Sequence, residues 1–299
     1  MKYTVAQETR LGTRRINQDR IGCWSTSACL LMTVADGLGG HPNGEVAAAL
    51  AVGLLGAAFE REARPRLADP DGFMARAIAA GHAAILREGE KRGLEDTPRT
   101  VLVACVVQDG HAYWMHVGDS RLYLIRQGRI VHRTRDHTVV QQLVDEGRIR
   151  EEAIVTHPER NRLLQCMGGY QPPRPDPTAT ARLAKDDIVL LCSDGFWNPL
   201  TQRQLAHALT TRELKDAIPE LTALAEARAG HECDNISVLA MTWAEDEVAA
   251  PASAPQVSDT ERTQVQDFTA TDLDYLRVSD EDIDKAIADL KAALRKSST

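Results

Sequence analysis

TVLVACVVQDGHAYWMHVGDSRLYLIRQGRIVHR, running from Thr100 to Arg133, decides the fold. It contains four strand-like runs, Thr100–Gln108, Ala112–Val117, Arg121–Arg126 and Arg129–His132, dense in β-branched and aromatic residues. The links between them are Gln108-Asp109-Gly110-His111, Gly118-Asp119-Ser120 and Gln127-Gly128. Links this short leave no room for a crossover and predict hairpins, so the sheet is largely antiparallel. Outward from this stretch, further strand-like runs fall at Arg20–Trp24, Cys29–Ala35, Asp187–Cys192 and Asn235–Met241. Two long segments, Gly44–Ala63 and Asp71–Lys91, repeat apolar residues at helical spacing, and a second helical pair follows at Gln202–Leu209 and Glu213–Ala229. Strands in blocks with helices in pairs predict an α+β fold, sheets packed together and covered by helices.

Composition narrows the class. Apolar residues make up 43% and charged residues 26% of 299, as in a soluble globular protein of one large or two small domains. The net charge of −8 is uneven: residues 244–299 hold 13 acidic and 6 basic side chains, the rest 30 and 29. Neither part has the basic face of a nucleic-acid binder. MKYTVAQETR is no signal peptide, and the longest apolar run, Val46–Phe59, is too short to span a bilayer. A cytoplasmic monomer without membrane or nucleic-acid partners is the expectation. The six cysteines show no C-x-x-C spacing and read as reduced thiols.

Between Asp136 and Pro177 the pattern loosens. A short helix, Val139–Glu146, leads into EEAIVTHPERNRLLQ and the proline-rich YQPPRPDP, and residues 138–177 read as a flap beside an active site. Residues 1–243 read as the folded domain. Beyond Trp243, residues 244–278 have the Ala/Pro/Ser/Thr and acidic composition of a disordered linker. Residues 279–296 read as an amphipathic helix, with Ser279 as N-cap and a narrow stripe of Ile283, Ala286, Ile287, Leu290 and Leu294.

The candidate chemistry lies in carboxylates scattered over two hundred residues: Asp19 in RRINQD, Asp36 in VADGLGG, Asp194 in LLCSDGFWN and Asp234 in CDNISV. A carboxylate at the end of a buried strand is rigidly held, and several that converge repel one another unless a divalent metal sits between them. The other hydrolytic schemes lack their residues. No cysteine has arginine six positions on, HECD at His231 is not a zinc motif, and Asp272-Leu273-Asp274 lacks the following threonine of a dehalogenase-type phosphatase.

Six motifs, R-x-x-N-x-D (Arg14, Asn17, Asp19), DGLGGH (Asp36–His41), VGDSR (Val117–Arg121), DHT (Asp136–Thr138), SDGFWN (Ser193–Asn198) and DNIS (Asp234–Ser237), stand in one order. Together, over roughly Lys2 to Thr242, the chain resembles bacterial members of the metal-dependent PP2C (PPM) family of serine/threonine protein phosphatases. The resemblance implies a four-layer αββα sandwich, two mainly antiparallel sheets flanked by helix pairs. It implies two Mn²⁺ or Mg²⁺ ions bridged by Asp36, with the Gly37 carbonyl on one of them and Asp194 and Asp234 completing a shell. Asp19 and Gln18 then act mainly through metal-bound water, and Asp119 with Asp194 matches a third, weaker site. Catalysis falls to Asp36, Asp194 and the phosphate-gripping Arg14, with Arg15 one register off. A hydroxide bridging the two ions attacks phosphorus directly.

Gln18 stands where many members carry an acid, Leu38 where animal members place a histidine, and Arg99-Thr100 where Gly-Thr is common. His41, after two glycines, reads as structural. The partners implied are phosphorylated proteins, with a cognate Ser/Thr kinase opposed, type VI secretion control being one setting of such relatives. Thr260, Thr263, Thr269 and Thr271 lie among acidic residues, and TERTQVQ resembles sites that bacterial kinases modify and forkhead-associated proteins read. A catalytically weak regulator that binds phosphoproteins is the alternative.

Overall fold

The computed structural model describes residues 1–39, 43–176 and 179–245. The expectations for His41, for most of the 244–278 linker and for the 279–296 helix, with the tail's partners, lie outside them. In chain order the elements are β1 (Tyr3–Arg10), β2 (Arg20–Ser25), β3 (Cys29–Gly37), α1 (Gly44–Glu62), α2 (Pro70–Lys91), β4 (Thr100–Gln108), β5 (His111–Val117), β6 (Arg121–Arg126), β7 (Arg129–Arg133) and α3 (Val139–Asp145). A 3₁₀ turn at Glu151–Thr156 precedes β8 (Ala179–Arg182), β9 (Ile188–Cys192), α4 (Asp194–Trp197), α5 (Gln202–Thr211), α6 (Leu214–Ala229) and β10 (Ile236–Trp243).

Two five-stranded sheets result, ordered β1-β10-β9-β6-β7 and β2-β3-β4-β5-β8, and every pairing is antiparallel. Side chains alternate across each strand and so divide the core into three layers. From β3 and β4, Leu30, Met32, Val34, Val103 and Val107 point between the sheets and meet Leu122, Leu191, Leu239 and Met241. Their neighbours Leu31, Leu102, Ala104 and Val106 point the other way, onto Leu55, Phe59, Phe73 and Ile78 of α1 and α2. The second sheet repeats the arrangement, Leu190, Ile236 and Val238 packing on Phe196, Leu205, Ile218 and Leu221 beneath α5 and α6. Burial on both faces is why β4 reads as an unbroken apolar run.

Helix α1 is rich in Ala and Gly because it lies close on its sheet. A Cβ added at Gly56 would come 2.1 Å from the Trp24 ring. The start of α2 is set by Asp69, whose Oδ1 accepts from the Gly72 N–H at 3.0 Å, with Pro70 at the first helical position. α5 begins with a capping box between Thr201 and Gln204.

One expectation fails in an informative way. The links at 108–111 and 126–129 are hairpins, but Gly118-Asp119-Ser120 is not. It carries the chain from β5 in one sheet to β6 in the other. Gly118 has φ +104°, and a Cβ there would lie 2.1 Å from the Val101 side chain. Only glycine takes that corner, which turns the strand out of its sheet instead of back along it. Strands β1 and β8 escaped the sequence reading. β1 is an edge strand whose YTVAQETR alternates half-buried and exposed residues, so it carries no apolar run.

Candidate metal centre

Asp19 sits just before β2, Asp36 near the end of β3, Asp119 on the inter-sheet corner, Asp194 just after β9 and Asp234 two residues before β10. The positions come from both sheets, so the carboxylates line the seam between them. Asp19 is buried, at 3% exposure, and the other four are part-buried. Asp19 Oδ2 accepts from Ser193 Oγ at 2.8 Å, and Ser193 Oγ in turn accepts from the Ser237 N–H of β10 at 2.9 Å. Its Oδ1, equally buried, has no hydrogen-bond partner.

The electrostatics follow from that crowding. Burial, then the charges of Asp19, Asp194, Asp119 and Asp234, hold Asp36 well above the ordinary carboxylate range. Asp119 is raised likewise by burial and by Asp194. Burial raises Asp19 to about 7, with Asp194 and Asp234 adding to it while the nearby Ser193 and Ser237 hydroxyls oppose it. Asp194 rises to about 6, from burial and Asp234, and is within hydrogen-bonding reach of Asp36. So many carboxyls cannot all be ionised together without compensating cations. A lone-pair-only oxygen left unpaired in the interior, Asp19 Oδ1, is costly on the same grounds. Hard divalent cations take all-oxygen ligand sets, and this set fits them.

The backbone is shaped to match. Gly37 N–H donates to the Gln18 carbonyl at 3.2 Å, Leu38 N–H to the Arg99 carbonyl at 2.9 Å, and Thr100 Oγ1 to the Asp36 carbonyl at 2.7 Å. A Cβ at Gly37 would fall 2.4 Å from the Gly44 backbone, and one at Gly44 2.8 Å from that of Gly37. The Asp36-Gly37 turn is thereby pinned against the first residue of α1. Arg99-Thr100 keeps this bond to the Asp36 carbonyl despite departing from Gly-Thr.

Arg14 belongs to the same centre. Its Nη2 donates to Asp234 Oδ2 at 2.6 Å, and Asp194 and Asp36 add to the field that raises its pKa after that bond. Its side chain is half exposed, at 51%. The 11–18 loop that carries it is sewn onto the strand entering β10. Thr13 N–H and Oγ1 both donate to the Cys233 carbonyl at 3.0 and 2.9 Å, Asn235 Nδ2 to the Leu11 carbonyl at 2.9 Å, and Gln18 N–H to Asn235 Oδ1 at 2.8 Å. Gln18 Nε2 donates to Glu45 Oε2 at 3.3 Å. Arg15 is exposed.

Beside the centre opens a cleft of about 460 Å³, walled by Arg14, Asp194 and Asp234, by Arg160 and Asn161 of the 138–176 segment, and by His231 and Glu232. Sequence reasoning brought together the five aspartates, Gly37, Gln18 and Arg14. It gave no role to Ser193, Ser237, Asn235 or Trp197, although each stands inside a motif already quoted, within three residues of a ligand candidate.

A second group of ligating atoms lies elsewhere. His116, His137 and Asp176 bring theirs within 4.8 Å of one another, and the imidazoles stack at 4.4 Å. His116 Nε2 lies 2.7 Å from the Arg135 carbonyl, so it carries the proton. Gly118 N–H donates to His137 Nδ1 at 3.1 Å, which leaves the proton on Nε2, the atom facing Asp176 at 3.6 Å.

The sequence profile of protein phosphatase 2C matches residues 7–229. The serine/threonine protein phosphatase PstP of Mycobacterium tuberculosis is 36% identical over 241 residues, 80% of this chain, and this chain spans about 44% of its length. Among solved structures, the catalytic domain of PstP in complex with two manganese ions superposes with a TM-score of 0.69 at 29% identity, covering 81% of this chain and 99% of that one. PppA, a key regulatory component of T6SS in Pseudomonas aeruginosa, superposes at 0.66 with 26% identity, covering 81% and 98%. No helix of the described residues is long and apolar enough to cross a membrane.

Proposed function

This chain belongs to the protein phosphatase 2C family, and we propose that it hydrolyses phosphoserine and phosphothreonine on proteins at the carboxylate-lined seam. The observation that carries this reading is the convergence of Asp19, Asp36, Asp119, Asp194 and Asp234 with Arg14, around an unpartnered buried oxygen of Asp19. Asp36, Asp194 and Asp234, with the Gly37 carbonyl, are the residues to hold two divalent ions; Asp19 and Gln18 support them through water, and Asp119 with Asp194 offers a weaker outer position. When bound, such ions supply acidified water and neutralise charge on phosphoryl oxygens.

The chain's own residues then have separate tasks. Asp36 and Asp119, the carboxylates raised furthest, would need cations beside them to stay ionised. Arg14, whose Nη2 bonds Asp234 at the edge of the cleft, would present its planar fork to two phosphate oxygens and offset charge developing there. Its half-exposed stem gives it the freedom to move. The cleft between Arg160, Asn161, His231 and Glu232 is polar and open, suited to an extended phosphopeptide on a protein surface. Such a substrate requires a kinase to make it, so the enzyme opposes a Ser/Thr kinase. Likeness to PppA supports type VI secretion control as the setting to examine first.

The test is hydrolysis of an aryl phosphate and a phosphothreonine peptide by chelator-stripped protein with and without Mn²⁺. Activity that appears only with the ion, and on the peptide, is the expected result. Full turnover after chelation sinks the reading.

A further inference from the structure

Asp119 and Asp194 come from opposite ends of a 75-residue excursion, yet one indole ties them together. We propose that Trp197 is a positioning residue for the outer cation site, holding Asp119 and Asp194 at a fixed separation through a clamp anchored on Arg121 and Asp136. The proposal rests on the metal reading above and concerns only the outer ion.

Asp194 opens α4 and Trp197 closes it, with Asn198 N–H donating back to the Asp194 carbonyl at 2.9 Å. The indole and the Asp194 carboxylate therefore ride on one turn. Trp197 Nε1 donates to the Asp119 main-chain carbonyl at 3.0 Å. The indole ring lies against the Arg121 guanidinium, whose Cζ is 3.3 Å from the ring centroid.

Arg121, in turn, has no freedom to move. It is 5% exposed and grips Asp136 with both prongs, Nε to Oδ1 at 2.8 Å and Nη2 to Oδ2 at 2.7 Å, while Nη1 donates to the Tyr123 hydroxyl at 3.1 Å. A buried two-pronged ion pair fixes the guanidinium plane. The plane fixes the indole, and the indole N–H fixes where the Asp119 corner stands relative to Asp194. Trp197, Asp119, Asp194 and Asp136 share one small cavity beneath the flap segment, so the clamp sits directly behind the outer position. Asp19, Asp36 and Asp234 are not bonded to it. Asp194 serves the inner ions too, but the indole N–H bonds the Asp119 carbonyl, so its loss frees the Asp119 corner while Asp194 stays on its own hydrogen-bonded turn.

The experiment titrates Mn²⁺ into the chelator-stripped full chain, following free ion by electron paramagnetic resonance and heat by calorimetry, for wild type and Trp197→Phe. Phenylalanine keeps an aromatic ring beside Arg121 but has no N–H to give the Asp119 carbonyl. The third ion should bind about fivefold more weakly, the worth of one neutral hydrogen bond, with the two tight ions and the melting temperature of the loaded protein unchanged. An unaltered third ion overturns the proposal. A wild type that binds two ions and no third overturns the outer site and the clamp's role together, leaving the phosphatase reading intact; a wild type that binds none overturns that reading as well. Should Trp197→Phe fail to fold, Trp197→Tyr carries the test, since it also keeps a ring beside Arg121, lacks the indole N–H and leaves every nearby charge in place. It must weaken the same third ion, and an unchanged third ion there refutes the clamp.

Discussion

His116, His137 and Asp176 gather three ligand atoms within 4.8 Å, a tighter group than any three seam carboxylates make among the described residues. By distance alone the histidine cluster is the better metal site. By hydrogen bonding it is the poorer one. Arg135 and Gly118 fix the protons, so that His137 offers an N–H toward Asp176 where a metal needs a lone pair. Burial, and then His137 beside it, lowers the pKa of His116, so that group gains nothing from becoming charged either. The aspartates stand wider apart, but Asp19 holds an unpartnered buried oxygen, and the raised pKa values of Asp19, Asp36, Asp119 and Asp194 mark crowding that a cation would relieve. Proximity proposes a metal site; unpaired electron pairs decide it. The wider spacing also suits ions shared between carboxylates.

Experiments can break this comparison, and the largest effect belongs to the seam. Asp36→Asn should cut Mn²⁺-dependent turnover on a phosphothreonine peptide by on the order of a thousandfold and reduce bound Mn²⁺. Near-normal turnover there would overturn the assignment. Arg14→Ala should lower kcat/KM by roughly 10- to 100-fold and weaken inhibition by inorganic phosphate, leaving metal stoichiometry alone; a lost ion instead would make Arg14 structural.

A subtler effect comes from pH. In the chelated protein Asp19 and Asp194 titrate near 7 and 6, above their unfolded values. A carboxyl raised on folding binds more protons native than unfolded, so its stabilisation is complete below the unfolded pKa and is lost as pH rises through the folded one. Bound cations remove that loss. The rise in melting temperature on adding Mn²⁺ should therefore grow between about pH 5 and pH 8, and a shift that is flat or shrinks would mean the ion binds elsewhere.

The smallest effect should come from the other cluster. His137→Asn places an amide oxygen where Nδ1 accepts from Gly118, and His116→Gln places an amide N–H where Nε2 meets the Arg135 carbonyl. The double variant should keep its Mn²⁺ stoichiometry and turn over within about twofold of wild type, at a stability cost of about 1–2 kcal/mol. Loss of an ion would reverse the comparison.

The seam was readable in the sequence because each carboxylate sits in its own short motif at a strand end, where local signals are strong. Asp119 was readable too, but its setting was not. Gly-Asp-Ser between two strands has the length of a hairpin link, and whether it turns within a sheet or out of it depends on Val101 packed against Gly118, 17 residues away. The clamp was invisible for a related reason. Arg121, Asp136 and Trp197 are ordinary in isolation, and only the fold reveals that the guanidinium gripping Asp136 also lies over an indole. The loop carrying Arg14 falls in the same class, since its register is set by Cys233 and Asn235 some 220 residues on.

The backbone contact between Gly37 and Gly44 has a consequence for inheritance. Each residue forbids a side chain at the other's position, and because the obstructing atoms are main chain, changing one does not make room for the other. No sequence of single substitutions leads through either position while the ligand turn and α1 stay where they are. A lineage can exchange the cleft walls at 160–161 and 231–232 freely and so drift toward new substrates, but the turn and the helix must be passed on as one unit.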